Sequence, residues 1–229
     1  ARDVLDGLAR RQRRIPCKWL YDELGSLLFE RITQVPEYYP TRMEVAILEQ
    51  VAGQIAQAAG PRATLVELGS GAAHKTRLLL DALRDAAAYV PVDLSEAFLA
   101  RTVRTLSAQF PQLQVVPCVS DFAHLTSLPP GLPAGRRVVF FPGTTIGNFD
   151  PAAAEDLLAR IGCLVGPGAL LVVGIDHTRD PERLVPRESG HACAGSADGE
   201  PDHRRGRDRG QRDAGLAGQG AGRVDVLPT

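Results

Sequence analysis

Thr64-Leu65-Val66-Glu67-Leu68-Gly69-Ser70-Gly71-Ala72-Ala73-His74-Lys75 carries the chain from strand-forming residues, through two glycines, into a helical pattern. Residues 64–68 suit a short buried strand that breaks at Gly69, turns through Gly71 and runs into a helix over 76–86. Glycine adopts positive φ and lets backbone N–H groups approach a ligand, so a strand, a Gly-x-Gly turn and a helix start make a nucleotide-sized pocket.

Three kinds of nucleotide site use such a turn. A dinucleotide fingerprint requires Gly-x-Gly-x-x-Gly, and the sixth position here is His74. A phosphate-binding P-loop requires Gly-x-x-x-x-Gly-Lys-Ser/Thr, which residues 69–76 match except, again, at His74. An S-adenosylmethionine (SAM) site asks for an acid, a spacer and Gly-x-Gly, and Glu67-Leu68-Gly69-Ser70-Gly71 supplies all of it. An ordinary strand–turn–helix with no ligand fits this stretch alone as well. The balance shifts at Tyr89-Val90-Pro91-Val92-Asp93, a second strand ending in an acid about 20 residues beyond the turn, where a carboxylate can accept both ribose hydroxyls. That favours an adenosine-type ligand over a bare triphosphate, with an N-cap for the next helix as Asp93's alternative role, one that Ser95 fills as well.

Outward from this centre, the 229 residues have ordinary globular composition, 44% apolar and 23% charged. A net charge of -1 argues against a nucleic-acid footprint. No apolar run reaches bilayer length, and the first residues lack a secretory pattern. Cys17, Cys118, Cys163 and Cys193 are scattered, which suggests reduced thiols in a cytoplasmic protein and no zinc site.

Upstream, residues 18–39 hold Trp19, Tyr21, Phe29, Tyr38 and Tyr39 in a chain with only 5% aromatics. They read as a helical cap packing Leu20, Leu24, Leu27, Leu28 and Ile32 on the core. Pro36-Glu37-Tyr38-Tyr39-Pro40 is expected to be a loop, restricted by proline on both sides and able to close over a substrate. Thr41-Arg42-Met43-Glu44 has capping-box form ahead of Met43, Ile47, Val51 and Ile55 at helical spacing, and Gly60-Pro61 ends that helix.

Downstream, Leu99, Val103, Leu106 and Phe110 mark an amphipathic helix, and 114–119 a third strand ending at Ser120-Asp121-Phe122. An acid followed by an aromatic there could bind an adenine amine and stack on its ring, or form a plain turn. Residues 137–141 read as a wholly apolar fourth strand opening into Pro142-Gly143-Thr144-Thr145-Ile146-Gly147-Asn148-Phe149-Asp150, a polar loop where open α/β sheets bind ligands. Asp150-Pro151 looks like the cap and first residue of a helix to Val165, and 169–175 is a fifth strand ending in Asp176. The alternation predicts an α/β fold with a Rossmann-like, doubly wound parallel sheet beneath an N-terminal helical cap.

Trp19-Leu20-Tyr21-Asp22 with Gly25-Ser26, the 36–42 segment, Glu67 to Gly71 with Lys75-Thr76-Arg77, and the 143–148 loop together resemble the histidine-specific SAM-dependent methyltransferases over residues 18–187. That family includes the L-histidine Nα-methyltransferase that makes hercynine (trimethylhistidine) in ergothioneine synthesis. The resemblance implies SAM as cofactor, held by Gly69, Lys75, Asp93, Asp121 and Phe122. It implies a small amine, L-histidine, as substrate, held by Tyr38 and Asn148 with Tyr21 lining the site. No catalytic acid, base or metal is implied, and no nucleic-acid or membrane partner.

From Pro186 the text turns Arg/Gly/Asp/Ala-rich, including His203-Arg204-Arg205-Gly206-Arg207-Asp208-Arg209-Gly210, with hardly a large apolar residue until Val224. Such composition buries too little surface to order itself. The expected organisation is therefore a cap over 1–60, a SAM-binding domain over 61–186, and over 187–229 a disordered or out-of-frame tail where the family's C-terminal lobe is missing. A basic nucleic-acid-binding tail is the other reading, diluted by its aspartates.

Overall fold

A computed structural model describes residues 2–70, 74–177 and 222–228. Two short helices, α1 (Arg2–Leu8) and α2 (Glu23–Ile32), precede the long α3 (Tyr39–Ala59), which Gly60 stops at φ 70°. The chain then alternates β1 (Thr64–Leu68), α4 (His74–Ala82), β2 (Ala88–Asp93), α5 (Glu96–Gln109), β3 (Gln114–Val115), β4 (Cys118–Val119), β5 (Arg137–Phe141), α6 (Pro151–Val165) and β6 (Leu170–Asp176). The strands lie in the order β3-β2-β1-β5-β6, all parallel, with β4 also paired to β2.

The doubly wound sheet follows from strands that are apolar on both faces. One face packs Leu65, Tyr89, Phe140 and Val172 against Leu48 and Ile55 of α3, Leu79 of α4 and Leu106 of α5. The other packs Val66, Leu68, Val90, Val139 and Val173 against Leu157 and Ile161 of α6. Each such side chain, fully enclosed, contributes about 1.5–3 kcal/mol. Burial of this kind over two faces is what holds the strand order.

Four local expectations change. The third strand divides into β3 and β4, because Pro117 has no N–H for the ladder, although Val116 N still donates to Tyr89 O at 2.9 Å. The long helix begins at Tyr39 with Pro40 in its first turn, so Thr41 to Glu44 is not a capping box and Glu44 is released for other work. Asp150 precedes α6 but makes no side-chain cap, since Arg14 takes its carboxylate at 2.8 Å. The leucines of the cap segment are not in the core: Leu20, Leu24, Leu27 and Leu28 are 66, 64, 41 and 47% exposed. There Phe29 is half-buried, meeting Tyr21 and Tyr38 edge-on at 5.5 and 5.9 Å.

Within the stretch expected to lack order, residues 222–228 form β7 (Gly222–Pro228), antiparallel to β6 in a register that sets Val226 opposite Val172. Apolar residues return there at alternate positions, and β6 otherwise presents an unpaired edge. The expectation for 187–221 lies outside the described residues.

Candidate active site at the carboxyl edge of the sheet

Strand order reverses between β1 and β5, and in open α/β sheets the crevice outside the strand ends at that point is where ligands bind. Gly69 closes β1 with φ 72°, and its N–H and that of Ser70 donate to Val92 O at 2.9 and 3.3 Å, which ties the turn to the end of β2. A methyl group at Gly69 would lie 3.8 Å from the Phe122 ring, so that ring stands beside the turn. Phe122 is held there edge-on to Phe141 at 5.3 Å and tilted to Phe149 at 6.3 Å.

Asp93 ends β2 with its carboxylate accepting the Ser95 N–H at 2.9 Å, and Ser95 itself caps α5 through Phe98 N. Burial pushes the Asp93 pKa up, partly offset by the Ser95 and Leu94 backbone N–H groups. Asp121 is the opposite case. Burial alone would raise its pKa, but His124, the Ala123 N–H and Lys18 together hold its carboxyl below the usual range.

Lys75 enters from α4 toward the β5 loop, where a methyl group at Gly143 would be 3.7 Å from its Nζ. Its ammonium pairs with Glu44 at 2.6 Å, and Glu44 also accepts the Gly143 N–H at 2.8 Å. Gly174 makes room for this, because a methyl group there would lie 2.3 Å from Glu44 Oε1. Glu44 therefore clamps α3, α4 and the β5 loop together across the crevice. The sequence reading missed it; its signal was an acid on the core-facing stripe of a helix, which the capping-box pattern explained away.

Glu67, the acid of the opening motif, points into the core. It is buried and accepts Thr76 Oγ1 at 2.8 Å and the Tyr89 hydroxyl at 2.5 Å. Burial raises its pKa to about 7, with the Tyr89, Thr76 and Lys75 contributions pulling the other way. These bonds also bear on the P-loop alternative. Thr76, whose hydroxyl that site needs for its metal, is buried and committed to Glu67.

On the acceptor side, Asn148 is exposed in a 3-10 turn (Thr145–Asn148) after β5, reached through Thr144 at φ 61°. Tyr38 sits at the start of α3 against Phe29, with Tyr21 beyond. Its neighbour Tyr39 reaches the end of β6, donating to Asp176 at 2.6 Å. The structure thus brings Gly69, Phe122, Lys75 and the β5 loop to one edge, and groups Tyr21 with Tyr38 through Phe29.

An adenosine-bearing cofactor fits this edge on two counts. Gly69 is left-handed beside an aromatic ring, and Ser70 Oγ is fully buried in the same turn with no hydrogen-bond partner among the described residues. The sheet and the crevice at its carboxyl edge have the Rossmann-like form found in SAM methyltransferases. Residues 1–187 match the model of the family described as "Histidine-specific methyltransferase, SAM-dependent", and the chain belongs to that family.

Among relatives, it is 43% identical over 188 residues to the histidine N-alpha-methyltransferase of Mycolicibacterium smegmatis, covering 80% of this chain and 57% of that protein. It is 34% identical over 181 residues to ergothioneine biosynthesis protein 1 of Neurospora crassa, covering 75% of this chain and 20% of that one. The chain thus spans little more than half the length of the bacterial relative. A solved carbon methyltransferase, CurJ, shares the fold with a TM-score of 0.50 at 18% identity, over 81% of this chain and 47% of that one.

Proposed function

We propose that this chain carries the SAM-binding half of an enzyme that methylates the α-amine of L-histidine, yielding trimethylhistidine for ergothioneine synthesis in the cytoplasm. The observation that carries the reading is the crevice between β1 and β5, where α4, the helix that follows the Gly69 turn, is joined to Gly143 of the β5 loop through Lys75 and Glu44. The name of the bacterial relative supplies the acceptor, that of the fungal relative the pathway, and the family supplies SAM.

Gly69, Asp93, Asp121, Phe122 and Lys75 would hold the cofactor. Asp93 offers carboxylate oxygens to ribose hydroxyls, Asp121 accepts from an adenine amine, and Phe122 gives the ring a face. Lys75 has three donors, of which Glu44 takes one, and the others suit a carboxylate. When bound, SAM supplies an electrophilic methyl group on a sulfonium.

The protein's own task is then placement. Asn148 and Tyr38 orient the neutral α-amine so that its lone pair lies in line with the methyl, Tyr21 lines the approach, and the loops exclude water. The amine nitrogen would take the methyl as the sulfur–carbon bond breaks and the neutral thioether S-adenosylhomocysteine leaves, and the ammonium so formed would give a proton to bulk water before the next transfer. No residue need act as nucleophile.

Isothermal titration of the full chain with SAM, S-adenosylhomocysteine (SAH) and ATP, with SAM repeated in the presence of histidine, tests the reading. Micromolar SAM binding strengthened by histidine supports it, and ATP binding alone refutes it. SAM binding indifferent to histidine would mark a cofactor-binding remnant of the family. Asn148→Asp and Tyr38→Phe are expected to weaken histidine's effect, and Tyr39→Phe beside them shows which of the adjacent hydroxyls matters.

A further inference from the structure

Two ion pairs fasten the N-terminal segment to loops on either side of the crevice. Arg14 Nη1 meets Asp150 Oδ2 at 2.8 Å, two residues past Asn148 in the connection that follows β5. Lys18 Nζ meets Asp121 Oδ2 at 3.2 Å in the connection that follows β4. Both connections leave the carboxyl edge of the sheet, from strands that flank β2 and β1, whose carboxyl ends carry Asp93 and Gly69.

The dimensions agree. Three strand spacings are about 14 Å, a span shared by the extended residues 14–16, the start of the 3-10 turn Cys17–Leu20 and the long side chains of Arg14 and Lys18. Residues 13–16 have no helix or strand, and Pro16 is extended at φ -54° and ψ 131°. The segment is also fixed at its root, where Arg14 N donates to the Gly7 carbonyl at 3.1 Å. A methyl group at Gly7 would lie 2.1 Å from the Arg14 carbonyl oxygen, so only glycine allows that approach.

Lys18 is the inner anchor. Its side chain is 31% exposed against 50% for Arg14, and it also pairs with Asp3 at 2.9 Å and lies 5.8 Å above the Trp19 ring. Three carboxylate-side contacts therefore meet at Asp121: Lys18, His124 and the Ala123 N–H.

We propose that residues 14–18 are a salt-bridged strap over the cofactor crevice, and that Lys18 is a positioning residue that holds the Asp121 carboxylate ready for the cofactor's adenine amine. The proposal rests on the reading of this edge as a SAM site. The strap slows cofactor release, and it links the cofactor loop at Asp121 to the acceptor loop at Asn148 through Asp150. Arg14, on the outer and more exposed pair, is the weaker fastening.

Trp19 is the sole tryptophan in the sequence, so its fluorescence reports the strap directly. SAH dissociation is followed by stopped flow, and acrylamide quenching of Trp19 is measured with and without SAH, in the full chain and in Lys18→Met and Lys18→Arg. The expected result is that SAH shields Trp19, that Lys18→Met releases SAH about two- to fivefold faster, the range of a partly exposed ion pair, and that Lys18→Arg restores the rate. About 0.5 M NaCl should speed release from the parent and from Lys18→Arg but not from Lys18→Met. SAH binding with one dissociation rate in all three proteins, and Trp19 quenching indifferent to ligand, overturns the strap while leaving the cofactor site standing. Failure of the parent to bind SAH overturns the site reading, and a change in Trp19 quenching by Lys18→Met in that case reduces the contact to a structural one.

Discussion

Glu67 and Lys75 are neighbours of one turn with different chemistry, and each makes a prediction about a single side chain. The Glu67 carboxyl is enclosed among Tyr89 and Thr76 and prefers its neutral form, with a folded pKa of about 7 against an ordinary 4.5. For an acid whose folded pKa is raised, the favourable contribution is whole below pH 4.5 and is lost as the pH climbs to 7. Glu67→Gln keeps an oxygen for both hydroxyl donors and cannot ionise. Urea unfolding should therefore show a stability gap in favour of the variant that opens between pH 4.5 and 7 and stays constant above. Its ceiling is on the order of 3 kcal/mol at about 1.4 kcal/mol per pKa unit. A gap that does not change with pH would remove Glu67 as the titrating group. Lys75 carries the opposite expectation. With side chains 17 and 9% exposed, the Lys75 and Glu44 pair is mostly out of water, so Lys75→Met strands a carboxylate whose remaining donor is the Gly143 N–H. The cost is about 3 kcal/mol in the same assay, and Lys75→Arg should recover part of it.

At the scale of elements, α2 is the one whose sequence misled. Its Leu24, Leu27 and Leu28 have the spacing of a core-facing stripe, yet they are exposed while Phe29 is half-buried between Tyr21 and Tyr38. Helical periodicity says that an element has an apolar face and is silent about what covers it. Leu24→Ala and Leu28→Ala are each expected to change unfolding free energy by less than about 0.5 kcal/mol, whereas Leu48→Ala in α3 should cost about 2–5 kcal/mol. Equal costs would place α2 in the core after all. The parallel strands were legible for the converse reason. A run such as Val138-Val139-Phe140-Phe141, apolar on both faces, suits a parallel strand covered by helices on both sides. Turn chemistry was legible where one residue decides it, as at Gly60, Gly69 and Ser95. It failed where a side chain had a better distant partner, as Asp150 has in Arg14 and Glu44 in Lys75. Those partners lie 136 and 31 residues away, and no local pattern encodes them.

Over the whole molecule, these pieces converge on one edge of the sheet. The β1 turn, the ends of β2 and β4, and the β5 loop come together only because the strand order reverses between β1 and β5. Sequence spacing could suggest the turn at Gly69 and the acid at Asp93, since both belong to a contiguous strand–helix–strand unit. It could not show that Lys18 closes on Asp121 or that Tyr39 reaches Asp176, because those contacts exist only once the sheet is assembled. A ligand seated across several strand ends must stabilise the assembled sheet as a unit. At a concentration 100 times its Kd, SAM should add about 2.7 kcal/mol to the unfolding free energy, a rise in Tm of about 5–10 °C for a chain of this length. ATP with magnesium should leave Tm unchanged, because the Thr76 hydroxyl that a P-loop needs for its metal is buried and bound to Glu67, and His74 stands where that loop needs glycine. Differential scanning calorimetry with SAM, SAH and magnesium ATP separates the two kinds of site in one experiment. A shift with ATP alone would mean that the bond from Thr76 to Glu67 gives way, and the crevice would then have to be read as a triphosphate site despite His74.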